Sequence, residues 1–131
     1  LPVDTNVLID VLEDDLEWAA WPIAQLRAQS KVHPLTINPI IHAELPLTFS
    51  KVEVLDKTIK NLGLTVLELP RPALFLAGKV FAQYWRQGGK ANNVLADFFI
   101  GAHAAVLGCP LLTRDARRYQ TYFSGVELIT P

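Results

Sequence analysis

The 131-residue chain is a common size for one domain, and half of it is hydrophobic with only 19% charged, so a sizeable core can form. A net charge of −1 excludes a strongly basic nucleic-acid wrapper, though not an enzyme that gathers positive charge around one site. The single cysteine, Cys109, excludes an internal disulfide and a cysteine-rich zinc module.

Cys109 reads as a small buried hydrophobe in a reducing, cytoplasmic setting. No run of eighteen apolar residues suggests a membrane span. The longest apolar stretch, Ala96 to Leu112, is broken by Asp97, His103 and Pro110. The chain lacks methionine and opens in what reads as the middle of a strand, so the natural start is expected upstream.

Leu1 to Asp4 reads as a short buried strand. Asn6 to about Glu13 follows as a helix with Val7, Leu8, Val11 and Leu12 on one face. The acidic run Asp10, Glu13, Asp14 and Asp15 reads as its solvated end. A second helix is expected from Trp18 to Gln29, and a strand from Val32 to Ile37. Asn38-Pro39 is a helix start, with Asn as cap and Pro in the first turn. That helix carries Glu44. Ser50-Lys51-Val52-Glu53 has the form of a capping box, and Val52, Leu55, Ile59 and Leu62 make a stripe that stops at Gly63. A strand over Leu64–Leu69 follows, then a helix from Pro72 to Gln87 closed by Gly88-Gly89. A largely apolar helix from Ala96 to Leu107 stops at Gly108. Leu111–Thr113 and Val126–Thr130 are the last strands. Trp18, Trp21, Tyr84 and Trp85 suit the core, or, if exposed, an anchoring patch for a protein partner.

Strands alternating with helices imply an α/β fold over residues 1–131 as one domain: a mostly parallel central sheet of about five strands flanked by helices on both faces. Sites in such sheets form beyond the carboxyl ends of the strands. Asp4 and Asp115 both lie at such ends. Asp97 falls in the first turn of its helix, where the helix dipole favours an acid. Glu44 is a carboxylate in an apolar helical segment. Each has a plain reading as a turn, cap or surface acid, but their expected positions agree with one another. Two carboxylates about 4 Å apart repel by roughly 4 kcal/mol at an effective dielectric of about 20. Convergence therefore calls for a cation, and an all-oxygen set without His or Cys suits Mg²⁺ or Mn²⁺ rather than Zn²⁺. Such an ion lowers the pKa of water and neutralises a phosphoryl oxygen, the equipment for phosphodiester hydrolysis. Asn6 and Thr113 flank the acids as short polar supports. Arg114, Arg117, Arg118 and Lys90 are candidate contacts to substrate phosphates. His33, His42 and His103 lack metal-ligand spacing.

Four stretches together resemble PIN domains, and among these the VapC-type toxins of bacterial toxin–antitoxin pairs. They are Val3-Asp4-Thr5-Asn6-Val7-Leu8-Ile9-Asp10, Ala43-Glu44-Leu45, Ala96-Asp97-Phe98-Phe99-Ile100-Gly101-Ala102-His103-Ala104 and Leu112-Thr113-Arg114-Asp115. The resemblance covers essentially the whole chain. It implies a Mg²⁺- or Mn²⁺-dependent endoribonuclease with Asp4, Glu44, Asp97 and Asp115 as the metal-binding and catalytic acids, supported by Asn6 and Thr113. It also implies a homodimer silenced by an antitoxin, whose tail lies in a groove between helices. The aromatics Trp18, Trp21 and Trp85 are candidates for that groove. Two positions depart from the pattern: Ala96 stands where many relatives have Pro, and Pro46 follows Glu44 closely enough to bend its helix and turn Glu44 away.

Two rival classes bear weighing. An aspartyl-phosphate phosphatase wants a second Asp two residues after the first, and position 6 is Asn; a receiver domain wants adjacent acids, and position 5 is Thr. The other rival is the same fold as a catalytically silent RNA- or antitoxin-binding scaffold, which leaves the full set of four acids without a purpose.

Overall fold

Two short parallel strand pairs meet at the first residues of the chain. The computed structural model describes residues 1–12, 19–45, 49–90 and 94–131. Strand β1 (Leu35–Ile37) pairs with β2 (Leu64–Val66), and β3 (Leu111–Leu112) pairs with β4 (Leu128–Ile129). The opening segment joins the pairs through parallel bridges, Pro2 to Thr36 on one side and Val3 to Leu112 on the other. Val3 N donates to Thr36 O (2.9 Å), Leu112 N to Pro2 O (3.0 Å) and Asp4 N to Leu112 O (2.8 Å). The resulting order is β2, β1, opening segment, β3, β4, all parallel. This is the mostly parallel α/β sheet expected, with shorter strands and a first member reduced to single bridges. The chain winds outward from the opening segment to β1 and β2, then crosses back to β3. The opening segment is therefore the point of topological reversal, where α/β sheets open a crevice at their carboxyl edge.

The helices are α1 (Thr5–Leu12), α2 (Ala20–Ser30), α3 (Pro39–Glu44), α4 (Val52–Asn61), α5 (Arg71–Arg86), α6 (Leu95–Leu107) and α7 (Arg117–Gln120). The Asn38 cap forms as expected: its Oδ1 accepts from Ile40 N and Ile41 N, both at 3.0 Å, with Pro39 in the first turn. Gly108 ends α6 in the left-handed conformation, φ 65°, which a residue without Cβ adopts at no steric cost. The capping box does not form. Helix α4 starts one residue later than that motif requires, and Lys51 takes the cap position without a side-chain bond. Helix α6 is central: α5, α3 and α7 all pack against it. Its Gly101 lets the Phe123 ring approach so closely that a Cβ there would fall 2.5 Å from ring carbon.

The core gathers Val3, Val7, Leu8, Ile37, Ile41, Leu45, Ile100, Leu111, Leu112 and Tyr119 from the opening segment, β1, β3, helices α1, α3, α6 and α7, and the α3 cap. Burying each aliphatic side chain contributes about 1.5–3 kcal/mol. Two expectations need correction. Asp10 is buried rather than solvated, because Arg114 reaches it. Cys109 is only half-buried. Trp21 and Tyr84 pack against the core, whereas Trp85 is 42% exposed on α5. Trp18, Pro46 and the run Glu13 to Asp15 lie outside the described residues. Among the described residues no helix is long and apolar enough to cross a membrane.

Candidate active site

Asp4 ends the opening segment, immediately before α1, and is buried. Four donors converge on its two oxygens. Thr5 N donates to Oδ1 at 2.7 Å; Thr113 Oγ1 and Tyr119 OH each donate to Oδ2 at 2.8 Å, and Asn6 Nδ2 donates to Oδ2 at 3.3 Å. Asp4 is thus fixed in rotamer, with Oδ2 fully engaged and Oδ1 the less occupied oxygen.

Thr113 and Asn6 both bond to Asp4 and to each other. The Thr113 hydroxyl gives its one proton to Asp4 and accepts from Asn6 Nδ2 (3.3 Å) and Asp115 N (3.1 Å). That uses its whole hydrogen-bonding capacity. Asn6 Oδ1 accepts from Arg114 N at 3.1 Å, which sets the orientation of its amide. The loop after β3 is therefore tied to the start of α1 through the Thr113 and Asn6 side chains.

Glu44, the last residue of α3, accepts from the Thr5 hydroxyl at 2.8 Å. It faces the cluster rather than away from it. Asp97 enters from the first turn of α6. Its carboxyl is pushed up to about 6, mainly by burial; Arg118 pulls it back, and the negative charges of Asp4 and Glu44 push it further up. Asp97 thus lies in the field of acids from two other parts of the chain. Asp115 stands at their rim, its side chain 40% exposed. Arg118 bridges it to Asp97: Nη1 lies 3.3 Å from Asp97 Oδ1 and Nε lies 3.0 Å from Asp115 Oδ2.

The other cations divide. Arg114 Nη1 lies 2.9 and 2.8 Å from the two Asp10 oxygens, so this guanidinium is committed to α1. Arg117 is exposed and lines a 110 Å³ pocket beside Asp97 with Tyr84, Phe98, Arg118 and Tyr122. Lys90 is exposed, and among the described residues no ion pair ties it to the acids.

Two side chains on this site escaped sequence reasoning. Tyr119 is fully buried with its hydroxyl on Asp4; burial, and then the Asp4 charge, push its phenol well above the usual range, so it stays a neutral donor. Thr5 holds Glu44. Only its place beside Asp4 hinted at that role.

The donor set matches a hard divalent cation in type and charge, since every acid offers oxygen and Asp97 is held against its own ionisation by burial and, to a lesser extent, by the charges of Asp4 and Glu44. Among the described residues no three such side chains are already grouped as a metal cage. Arg118 pairs with Asp97 and Asp115, and the Thr5 hydroxyl bonds to Glu44.

A family model, the PIN domain, matches residues 2–124, and the chain belongs to that family. No curated protein matches it. Among solved structures it is similar to VapBC-1 from nontypeable Haemophilus influenzae, at 22% identity and TM-score 0.74, over 98% of this chain and 96% of that one. VapBC2 from Rickettsia felis, bound to a DNA fragment from its promoter, gives 17% identity and TM-score 0.73 over the same shares. A toxin–antitoxin complex from Klebsiella pneumoniae gives 22% identity and TM-score 0.61, over 99% of this chain and 96% of that one.

Proposed function

We propose that this chain, one PIN domain over residues 1–131, is a VapC-type toxin: an endoribonuclease that hydrolyses RNA phosphodiester bonds. Asp4, Glu44, Asp97 and Asp115 are the metal-binding and catalytic acids, and Mg²⁺ or Mn²⁺ is the cofactor. The observation that carries this reading is Asp97, a half-buried carboxyl at the start of α6, bound by Arg118 and raised to about 6 by burial and by the charges of Asp4 and Glu44. Strongly perturbed acids of this kind collect at functional sites.

The residues divide the work. Thr113, Asn6 and Tyr119 keep Asp4 in one rotamer, and Thr5 does the same for Glu44. Asp97 approaches from a helix start, where the dipole favours its anion. When bound, the divalent cation supplies counter-charge to the phosphate and lowers the pKa of water. Arg117, Arg118 and Lys90 draw RNA phosphates without reading sequence. The same reading gives the chain an antitoxin partner, a homodimeric state and a cytoplasmic location; the fold it shares with the VapBC structures supports it.

Incubation of the purified protein, free of antitoxin, with total RNA and Mn²⁺ tests the proposal. Wild type is expected to cleave, and Asp97→Asn to cleave at least about a hundredfold more slowly. Equal cleavage by both refutes the assignment. No cleavage across a broad RNA panel favours a silent scaffold.

A further inference from the structure

We propose that Arg118 is an exchangeable counter-ion: it holds Asp97 and Asp115 until a divalent cation takes them, then turns its guanidinium to the substrate phosphate. The inference rests on the metal-dependent reading above and adds a role for one side chain.

The geometry carries it. Arg118 reaches two acids from different elements with different nitrogens, Nη1 to Asp97 at 3.3 Å and Nε to Asp115 at 3.0 Å. Neither contact is a paired, bidentate fork, and the side chain is 51% exposed. Contacts of this form are weak and readily given up. Arg114 differs, with its Nη1 2.8 Å from an Asp10 that is nearly covered. The difference is one of degree: Arg118 is the more exposed arginine, 51% against 36%, and its second acid, Asp115, is 40% exposed.

The placement also accounts for the open arrangement of the acids. A guanidinium is broad and planar, and it meets Asp97 and Asp115 with two different nitrogens. A small hard cation needs oxygens at short range around a point. A cation that takes Asp97 Oδ1 and Asp115 Oδ2, the two oxygens Arg118 now holds, must displace it, so binding there is competitive. Once released, the guanidinium is tethered three residues from Asp115, beside the position a phosphate must take. Its fork matches phosphate oxygens better than it matches two separate acids.

Three measurements on the intact protein test this. First, Mn²⁺ titrated calorimetrically into wild type and Arg118→Gln is expected to bind the variant about tenfold more tightly, the size of two weak ion pairs removed. Arg118→Lys, which keeps the charge but loses the fork, is expected to fall between them. Second, in ¹⁵N spectra the Arg118 Nε–H signal is expected to move on addition of diamagnetic Mg²⁺. Third, inorganic phosphate is expected to shift that signal when Mg²⁺ is present and not in its absence. Equal or weaker Mn²⁺ binding by a folded Arg118→Gln, an Nε–H signal indifferent to Mg²⁺, or a phosphate shift that ignores Mg²⁺ overturns the exchange while leaving the metal site standing. Failure of wild type to bind either ion overturns the metal reading and the exchange together.

Discussion

The Tyr119 hydroxyl donates to Asp4 Oδ2 at 2.8 Å across 115 residues of sequence, inside the core. An aromatic ring that belongs to the apolar interior thus ends in a hydrogen bond to the central acid of the site. Packing and site geometry are coupled at that atom. Tyr119→Phe keeps the ring and removes one donor of four. A hydrogen bond to a charged group contributes about 1.5–3 kcal/mol, and the remaining donors to Asp4 soften the loss. The expected cost is about 1–2 kcal/mol, or about 4–7 °C in Tm. RNA cleavage is expected to fall through kcat rather than KM, because Asp4 is less firmly held while the cations proposed to bind phosphate are untouched. A thermal melt and a kinetic split check this; an unchanged Tm with an unchanged kcat contradicts it.

Asp97 sets a pH dependence whose sign follows from its raised pKa. The folded protein holds this proton more tightly than the unfolded chain, so stability from Asp97 is full below the ordinary carboxylate range. It is lost as pH rises through about 6. Metal-free protein is therefore expected to gain stability from this group as pH falls from 7 toward 4. Asp97→Asn is expected to remove that slope and to be the more stable protein at pH 7 in chelator. Adding Mn²⁺ at pH 7 is expected to raise the Tm of wild type and leave that of Asp97→Asn nearly unchanged. Melting curves from pH 4.5 to 7.5, with chelator and with Mn²⁺, decide it.

Asp4 and Asp115 were legible as acids because each follows an apolar run at a strand end, and the parallel order then brings both to the same edge. Asn38 and Gly108 were legible because a cap and a left-handed stop are local events governed by neighbours in sequence. The Tyr119 contact was not, since nothing near Tyr119 indicates an acid 115 residues away. Asp10 misled for the same reason: within its own segment it belongs to an acidic run, and only the Arg114 guanidinium, 104 residues distant, makes its burial tolerable. The capping box failed on a shift of one residue in the start of α4, a scale at which local motifs carry little information. The first strand was read correctly as buried and parallel, but two bridges suffice to hold it, so its length was overstated.

Asn38 and His103 join the helix bearing Glu44 to the helix bearing Asp97. Asn38 Oδ1 is fixed by two backbone amides, so its Nδ2 must face His103 Nδ1, 3.3 Å away. The facing nitrogen of His103 is then an acceptor and the ring is neutral. Burial holds the His103 pKa below its usual value. The sign is opposite to that of Asp97: the unfolded chain takes up this proton first, so His103 costs stability as pH falls below about 6.5. Asn38→Asp keeps both cap bonds and replaces the facing donor with a carboxylate. The His103 pKa is expected to rise, and the stability loss below pH 6.5 to shrink or reverse. NMR titration of the imidazole reads the first, and melting curves read the second. A His103 pKa unchanged in Asn38→Asp contradicts the contact.

Arg114 and Arg117 are neighbours in sequence but are expected to fail differently when removed. Arg114 Nη1 lies 2.9 and 2.8 Å from both oxygens of the buried Asp10, and its backbone N–H donates to Asn6. Arg114→Ala leaves a nearly covered carboxylate without its cation. Breaking a fully buried pair costs about 3–5 kcal/mol. Arg114 is itself about a third exposed, so solvent screening brings the expected cost down to about 1–2 kcal/mol. Arg114→Ala is therefore expected to melt several degrees lower, and Asp10→Asn to recover part of the loss in the double variant. Arg117 is exposed beside Asp97. Arg117→Ala is expected to leave Tm unchanged and to weaken RNA binding. The log–log salt slope is expected to fall by about 0.7, the change for one single-strand phosphate that is no longer neutralised. Parallel melts and salt-dependent binding curves separate the two roles. A destabilised Arg117→Ala, or an Arg114→Ala as stable as wild type, reverses the assignment of which arginine braces the fold and which meets the substrate.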